Sequence, residues 1–170
     1  MGQHATLPRM STAGGGAVEL PADLVEFVES GVSILVGTRD TRLRPEALRA
    51  VGCVVGAERR TLAVLMNEAT ARRTVANLEA GSPVAVTFNR PMDHRSVQVK
   101  GPCLGVRTGG AAEEEIVRRY LAAFTEALYL VGVSRATTRR VRGLPCMVAE
   151  LEVRELFEQT PGPVAGQKLA

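Results

Sequence analysis

The sequence contains no tryptophan, and aromatic residues make up only 4% of its 170 residues. Aromatic rings are the surfaces on which unpaired bases stack, so their scarcity argues against binding to nucleic acid. Charge points the same way, because the net charge of +3 is scattered among acidic residues instead of gathered in one run. One basic stretch, SRATTRRVRG at 134–143, keeps an RNA-binding barrel open as an alternative.

Cysteine and histidine are also scarce, with three and two residues respectively. Cys53, Cys103 and Cys146 are far apart, form no CxxC pair and lie in apolar stretches, which predicts buried free thiols, no disulfide and no metal site. No segment is long and apolar enough to span a bilayer, and the first residues lack the apolar core of a secretion signal. We therefore expect a cytoplasmic protein without a membrane partner.

Familiar catalytic motifs are missing as well. The sequence has no GxSxG, no HExxH and no Walker lysine, so no catalytic residue is assigned. If a chain without catalytic acid and base residues also has a site for an anion, this combination is typical of proteins in which a cofactor supplies the chemistry.

Composition along the chain predicts one domain. Residues 1–17 are rich in glycine and lack periodicity, which indicates a flexible leader, and residues 161–170 form a tail rich in proline and glycine. The domain between them, 18–160, has the order helix, three strands, helix, two strands, helices and one strand. Several antiparallel strands with few helices favour a small closed or half-closed barrel, because closure removes exposed strand edges.

A helix in the middle of the chain carries the first candidate site. In ATARRTVANLEA (69–80), Ala71, Val75 and Leu78 are predicted to face the core, while Arg72 and Arg73 lie near the start of the helix, where cations are unfavourable unless an anion is present. Guanidinium groups, the hydroxyl of Thr74 and backbone N–H groups could together hold a phosphate. The alternative is a solvated helix face on which the arginines pair with Glu68 or Glu79.

Two strands carry further candidates. In EALRAVGCVV (46–55), Arg49 shares a face with Val51, so its guanidinium either reaches water or meets an anionic ligand. Arg95 stands just before a second strand. In that strand Ser96, Gln98 and Lys100 alternate with Val97 and Val99. A simple surface strand would show the same alternation.

The succession RPEALRAVG, TLAVLMNEATARRTVANLEAGSPVAVTF, HRSVQVKG and MVAELEVRELFEQTPGP resembles the pyridoxamine 5'-phosphate oxidase-like, FMN-binding split-barrel family over about residues 20–163. The resemblance implies a mainly β fold with α-helices, a six-stranded antiparallel split β-barrel with flanking helices. It also implies a homodimer with FMN at the subunit interface. Because the chain lacks the Trp-containing final segment of the true oxidase, oxidation of vitamin B6 is not assigned.

The same resemblance implies roles for individual residues. Arg73 and Thr74, with Arg72 beside them, would hold the phosphate. The strand with Arg49, Ala50 and Val51 would run along the flavin, and the later strand would contribute three more residues: Arg95, Gln98 and Lys100.

The function expected from this is an FMN-dependent oxidoreductase that acts on a small molecule, with a deazaflavin or haem as other possible cofactors. The alternative is a non-catalytic flavin-binding or haem-binding protein on the same barrel.

Overall fold

The computed structural model describes residues 16–170, so the predicted leader lies almost wholly outside the described residues. Within them the chain forms nine strands and four helices. The strands are β1 (Ser33–Arg39), β2 (Pro45–Arg49), β3 (Gly52–Val55), β4 (Thr61–Asn67), β5 (Val84–Asn89), β6 (Ser96–Gly101), β7 (Cys103–Thr108), β8 (Cys146–Glu152) and β9 (Glu155–Glu158). The helices are α1 (Ala22–Glu29), α2 (Glu68–Glu79), α3 (Ala111–Leu130) and α4 (Arg135–Thr138).

The strands form two antiparallel sheets. The five-stranded sheet has the order β2-β1-β5-β6-β9, and the four-stranded sheet has the order β3-β4-β8-β7. Buried aliphatic residues of both sheets, such as Ile34, Val86, Leu62 and Val148, belong to one core cluster. The prediction of a mainly β, antiparallel fold with helices is confirmed.

Three segments predicted as single strands each form two strands, one in each sheet. The breaks fall between β2 and β3, between β6 and β7, and between β8 and β9. At the first break, the N–H of Ala50 donates to Ile34 in the five-stranded sheet, whereas the N–H of Val51 donates to Leu65 in the four-stranded sheet. At the second break stands Pro102, which has no N–H with which to continue a ladder. Hydrophobic alternation continues through such bends, so it could not reveal them.

Helix α2 packs with the predicted face and with one further residue, Thr74, that was not predicted. Its buried residues are Ala71, Thr74 and Leu78, while Val75 is half-buried. Residues at i+3 and i+4 both lie near the same helix face, so the sequence pattern alone did not separate Thr74 from Val75. The predicted face is thus confirmed at Ala71 and Leu78, Val75 packs partly buried against the core, and the buried hydroxyl of Thr74 was not predicted.

The final residues pair with β9. The N–H of Leu169 donates to Leu156 at 2.7 Å, the N–H of Gly166 donates to Glu158 at 2.7 Å, and Phe157 forms an antiparallel bridge with Lys168. The predicted tail thus covers an edge of the five-stranded sheet that would otherwise expose unpaired backbone groups.

Two further features bear on the sequence predictions. Cys53 and Cys146 are buried, Cys103 is half-buried, and all three are free; burial raises the pKa of the Cys53 thiol, which keeps it protonated and unreactive. Among residues 16–170, no helix combines the length and the apolar character needed to cross a bilayer.

Candidate functional site

The side of the five-stranded sheet that points away from the core carries three of the predicted site residues, and we call it the outer face. Strand alternation and the observed register place its side chains in rows across the sheet. The first row consists of Arg49, Leu35, Thr87, Gln98 and Phe157. The second row consists of Ala47, Gly37, Ala85, Lys100 and Glu155. Arg49, Gln98 and Lys100 therefore share one face.

The middle of the outer face is unusually smooth. Ala47, Gly37 and Ala85 stand side by side on three neighbouring strands, and none has a side chain longer than a methyl group. Beside them Leu35 is 44% exposed, although it sits on a central strand of the sheet. A flat apolar surface of this kind suits a planar ring or a second protein surface. Sequence reasoning missed these small residues, although their alternation in VSILVGT and VAVTF was visible.

Arg49 ends β2 and is held from two sides. Its Nη1 donates to the hydroxyl of Ser33 at 2.8 Å, and its guanidinium lies 5.4 Å from the ring centroid of Phe124 in α3. Because the N–H of Ala50 points to β1, alternation directs the N–H of Arg49 to the open edge of β2. Ala50 and Val51 are almost completely buried, so only their backbone could contact a ligand.

Arg73 lies beside the same edge strand. Helix α2 begins at Glu68, which places Arg72 and Arg73 in its second turn, where the helix dipole acts weakly. The side chain of Arg73 is 78% exposed, and its guanidinium forms an ion pair of 3.0 Å with Glu46 of β2. Its carboxylate partner is thus on a strand instead of on the helix itself.

Thr74 lies on the core side of α2, whereas Arg72 and Arg73 are exposed. It is completely buried, and its hydroxyl has no hydrogen-bond partner among the described residues. A buried unpaired hydroxyl is costly and calls for an explanation. Since the packing of α2 covers it, a phosphate that Arg73 holds at the surface would not reach Thr74 without a local rearrangement.

The predicted site residues in and just before β6 lie in two different parts of the structure. On the outer face, Nε2 of Gln98 donates to the hydroxyl of Thr87 at 2.8 Å, and Nζ of Lys100 lies 4.3 Å from the ring centroid of Phe157. Arg95 directly precedes the first residue of β6. It pairs with Asp23 at 3.0 Å and stacks on Phe27 of α1. The structure therefore brings Gln98 and Lys100 onto the face with Arg49 but leaves Arg95 apart from it.

Within one chain, even the residues on the outer face are well separated. Strands β2 and β6 are three strand spacings apart, which is roughly 14 Å between the backbones of Arg49 and Gln98. Side chains of this length do not meet on one small group across that gap. If both contact the same part of a ligand, they come from different copies of the chain.

Solved structures with the same architecture exist, whereas comparison with protein-family models and with curated protein sequences finds no match. A candidate pyridoxamine 5'-phosphate oxidase from Lactobacillus delbrueckii matches with a TM-score of 0.52 at 16% identity, covering 82% of this chain and 93% of that one. The chain shares its fold. A structure named F420 reductase matches with a TM-score of 0.55 at 14% identity, covering 81% and 98%.

A third match is HupZ from Group A Streptococcus, with a TM-score of 0.53 at 17% identity over 86% of this chain and 99% of that one. The resemblance to the pyridoxamine 5'-phosphate oxidase-like proteins, which the sequence predicted, is therefore present in three dimensions as a shared fold. At these identities the similarity concerns the fold alone.

Proposed function

We propose that the chain forms a homodimer that binds FMN between the β2 edge of one copy and the outer face of the other, and that it is a flavin-dependent oxidoreductase acting on a small molecule. The observation that carries the proposal is the outer face itself, on which Arg49, Gln98 and Lys100 surround a smooth floor of small residues. Two structural neighbours, a candidate pyridoxamine 5'-phosphate oxidase and an F420 reductase, support a flavin or deazaflavin cofactor.

The pairing of the strands supports the description of the fold as a six-stranded split barrel. If each bent pair (β2 with β3, β6 with β7, β8 with β9) counts as one long strand, six strands remain. Every one of them pairs with two neighbours, in the cyclic order β1, β2/β3, β4, β8/β9, β6/β7, β5. We therefore describe the proposed architecture as a six-stranded split barrel.

The residues present fit the phosphate of FMN in their chemistry. Arg72 and Arg73 offer exposed guanidinium groups, which bind phosphate through paired N–H donors. Glu46 would compete with the phosphate, because its carboxylate forms an ion pair with Arg73. A phosphate dianion carries more charge than a carboxylate, so it would replace Glu46 as the partner of Arg73.

The remaining residues would position the ring system. Arg49, fixed by Ser33 and Phe124, presents its backbone N–H at the edge of β2, where a heteroaromatic ring edge can accept a hydrogen bond. Gln98 and Lys100 of the partner would supply a neutral and a cationic donor. FMN, when bound, supplies hydride exchange at its N5 atom, and the chain's own contribution is to orient the ring and hold the phosphate.

Two features of the outer face support the proposed homodimer. Leu35 is exposed in the centre of the sheet, and Arg49 and Gln98 are too far apart to meet within one chain. In a two-fold dimer the edge of β2 in each copy can face β6 of the other, which produces two identical sites. Pairing also removes Leu35 and its small neighbours from water.

The direct test is a titration of the purified protein with FMN. We expect quenched flavin fluorescence and saturation at one FMN per chain, at micromolar concentration or below. Parallel titrations with F420 and haem test the other cofactors. If neither FMN nor F420 binds, the oxidoreductase proposal fails; if flavin binds but no nicotinamide or other donor ever reduces it, the non-catalytic alternative replaces it.

The dimer is tested by placing a charge in its centre. Leu35→Glu is expected to change the mass in light scattering from twice 18.1 kDa to the mass of one chain, and to abolish FMN binding. The cause is the cost of burying an unpaired carboxylate in an apolar interface. Leu104→Glu is the matched control, because Leu104 is 57% exposed on β7 in the other sheet. Equal behaviour of the two variants, or a wild-type monomer that holds FMN, contradicts the proposal.

A further inference from the structure

A large groove opens at the end of the outer face farthest from Arg49. It has a volume of about 1060 Å³ and lies between the turn that joins β1 to β2, the end of α2, and the bends at Gly101 and Arg154. We call it the turn groove. Its lining includes Arg39, Leu43, Pro45, Leu78, Gly37, Ala85, Lys100 and Lys168.

The charges of the turn groove are mostly positive. Arg39, Lys100, Arg154 and Lys168 line it, against the single carboxylate of Glu155 among the described lining residues. Glu155 pairs with Lys168 at 3.1 Å, and Arg154 pairs with Glu152. Arg39 and Lys100 form no ion pair within residues 16–170. In the part of the chain that the structure describes, the groove therefore has two cations that pair with no carboxylate, and the Nζ of Lys100 instead lies 4.3 Å from the ring centroid of Phe157.

Arg39 and Lys100 stand on either side of the smooth floor. Lys100 is in register with Ala85 and Gly37 on the two neighbouring strands, and Arg39 is two residues beyond Gly37 on the same face. The two backbone positions are thus roughly 12 Å apart. The Nζ of Lys100 lies against Phe157 of β9, on the side away from Arg39. Lys100 would turn over Ala85 to meet the same anion as Arg39, and the small residues Gly37 and Ala85 leave that space open.

The apolar part of the groove lies beside Arg39, because Pro45 is the register partner of Arg39 on the neighbouring strand. Leu43 is 67% exposed at the tip of the turn and lines the groove together with Pro45 and Leu78. The carboxylate of Asp40 holds this turn by accepting from the backbone N–H groups of Arg42 at 2.8 Å and Arg44 at 2.9 Å. An exposed leucine on a fixed turn beside two unneutralised cations offers an apolar contact and a charged contact to the same molecule.

We infer that the turn groove binds an organic anion, a molecule with an apolar body that lies against Leu43 and Pro45 and with a carboxylate or phosphate that Arg39 and Lys100 hold. The site is distinct from the proposed phosphate site at Arg73. Arg73 pairs with Glu46, whose side chain lies on the opposite face of β2 from Pro45. Arg39 has no part in the flavin site, whereas Lys100 belongs to both proposed sites. The inference stands on the cavity and its charges, whether or not a flavin is present.

The test uses 2-naphthoate as the probe and its neutral analogue 2-naphthamide as the reference, both titrated calorimetrically into the full chain. We expect naphthoate to bind more tightly than naphthamide, with an advantage that shrinks as salt is raised. Arg39→Gln and Lys100→Gln should each weaken naphthoate by about tenfold, the usual loss for one charge-assisted hydrogen bond, and leave naphthamide unchanged. Arg42→Gln is the matched control, since Arg42 lies in the same turn but does not line the groove.

Arg39→Gln and Arg73→Ala separate this inference from the flavin proposal, whereas Lys100 belongs to both proposed sites. Arg39→Gln is expected to weaken naphthoate without changing the affinity for FMN, and Arg73→Ala should do the reverse. Equal binding of naphthoate and naphthamide overturns the inference, as does a loss with Arg42→Gln as large as that with Arg39→Gln. Absence of saturable naphthoate binding at millimolar concentration overturns it too. Each of these results would leave the proposal of FMN binding standing, because that proposal is tested separately by the FMN titration.

Discussion

Replacement of Gly101 by alanine is expected to unfold the protein or to destabilise it by about 3 kcal/mol or more, the upper end of the cost of overpacking. Gly101 ends β6 where the chain of β8 and β9 crosses it. An added Cβ would lie 1.8 Å from the carbonyl oxygen of Glu152 and 3.4 Å from the N atom of Arg154. Both are backbone atoms, and the N–H of Arg154 donates to Lys100 at 2.9 Å. The two strands cannot separate without breaking the bend at which both change sheets.

The matched control is Gly105→Ala in the next strand. A Cβ at Gly105 meets no atom within 4 Å, so its effect should stay within about 1 kcal/mol, and loss of backbone freedom in the unfolded chain favours the alanine. Urea unfolding followed by circular dichroism measures both variants. If Gly101→Ala unfolds at the same urea concentration as Gly105→Ala, the close approach of β6 to the β8–β9 bend is wrong.

The second large effect concerns the phosphate. Arg73→Ala is expected to weaken FMN by roughly ten- to a hundred-fold, which corresponds to the loss of a hydrogen bond to a charged group, about 1.5–3 kcal/mol. Riboflavin, which has no phosphate, should bind wild type and variant equally. Fluorescence titrations with both ligands measure the difference, and Arg73→Lys should recover part of the affinity, because it keeps the charge but not the paired donors.

A variant that is expected to strengthen FMN binding complements this test. Glu46→Gln removes the carboxylate that pairs with Arg73, so it should strengthen FMN and leave riboflavin unchanged. Circular dichroism checks that the variants remain folded. An equal loss of FMN and riboflavin with Arg73→Ala, or weaker FMN binding with Glu46→Gln, would place the phosphate elsewhere.

Most secondary structure was predictable because local patterns determine it. The stripe of Leu24, Phe27 and Val28 predicted α1, and all three residues are buried. Alternation predicted the strands, and their approximate positions agree with the structure. The bends at Ala50, Pro102 and Val153 were not predictable, since each depends on which of two sheets supplies the next hydrogen-bond partner.

The candidate site was predictable as residue types but not as an arrangement. Alternation put Gln98 and Lys100 on one face of β6, and the structure adds Arg49 to that face through the register of four strands. Arg95 precedes the same strand but turns to α1, because Asp23 and Phe27 attract its guanidinium. The turn groove had no sequence signal, since its lining comes from six separate segments.

The sequence by itself determined the mainly β composition, the antiparallel strands and the basic helix near the middle of the chain, because hydrophobic period and turn residues act over a few positions. Tertiary structure alone decided that Thr74 is completely buried beside Val75 and that Arg73 pairs with Glu46. It also decided that the small residues of three strands form one smooth floor. These outcomes depend on register and packing between segments distant in sequence, which no local pattern contains.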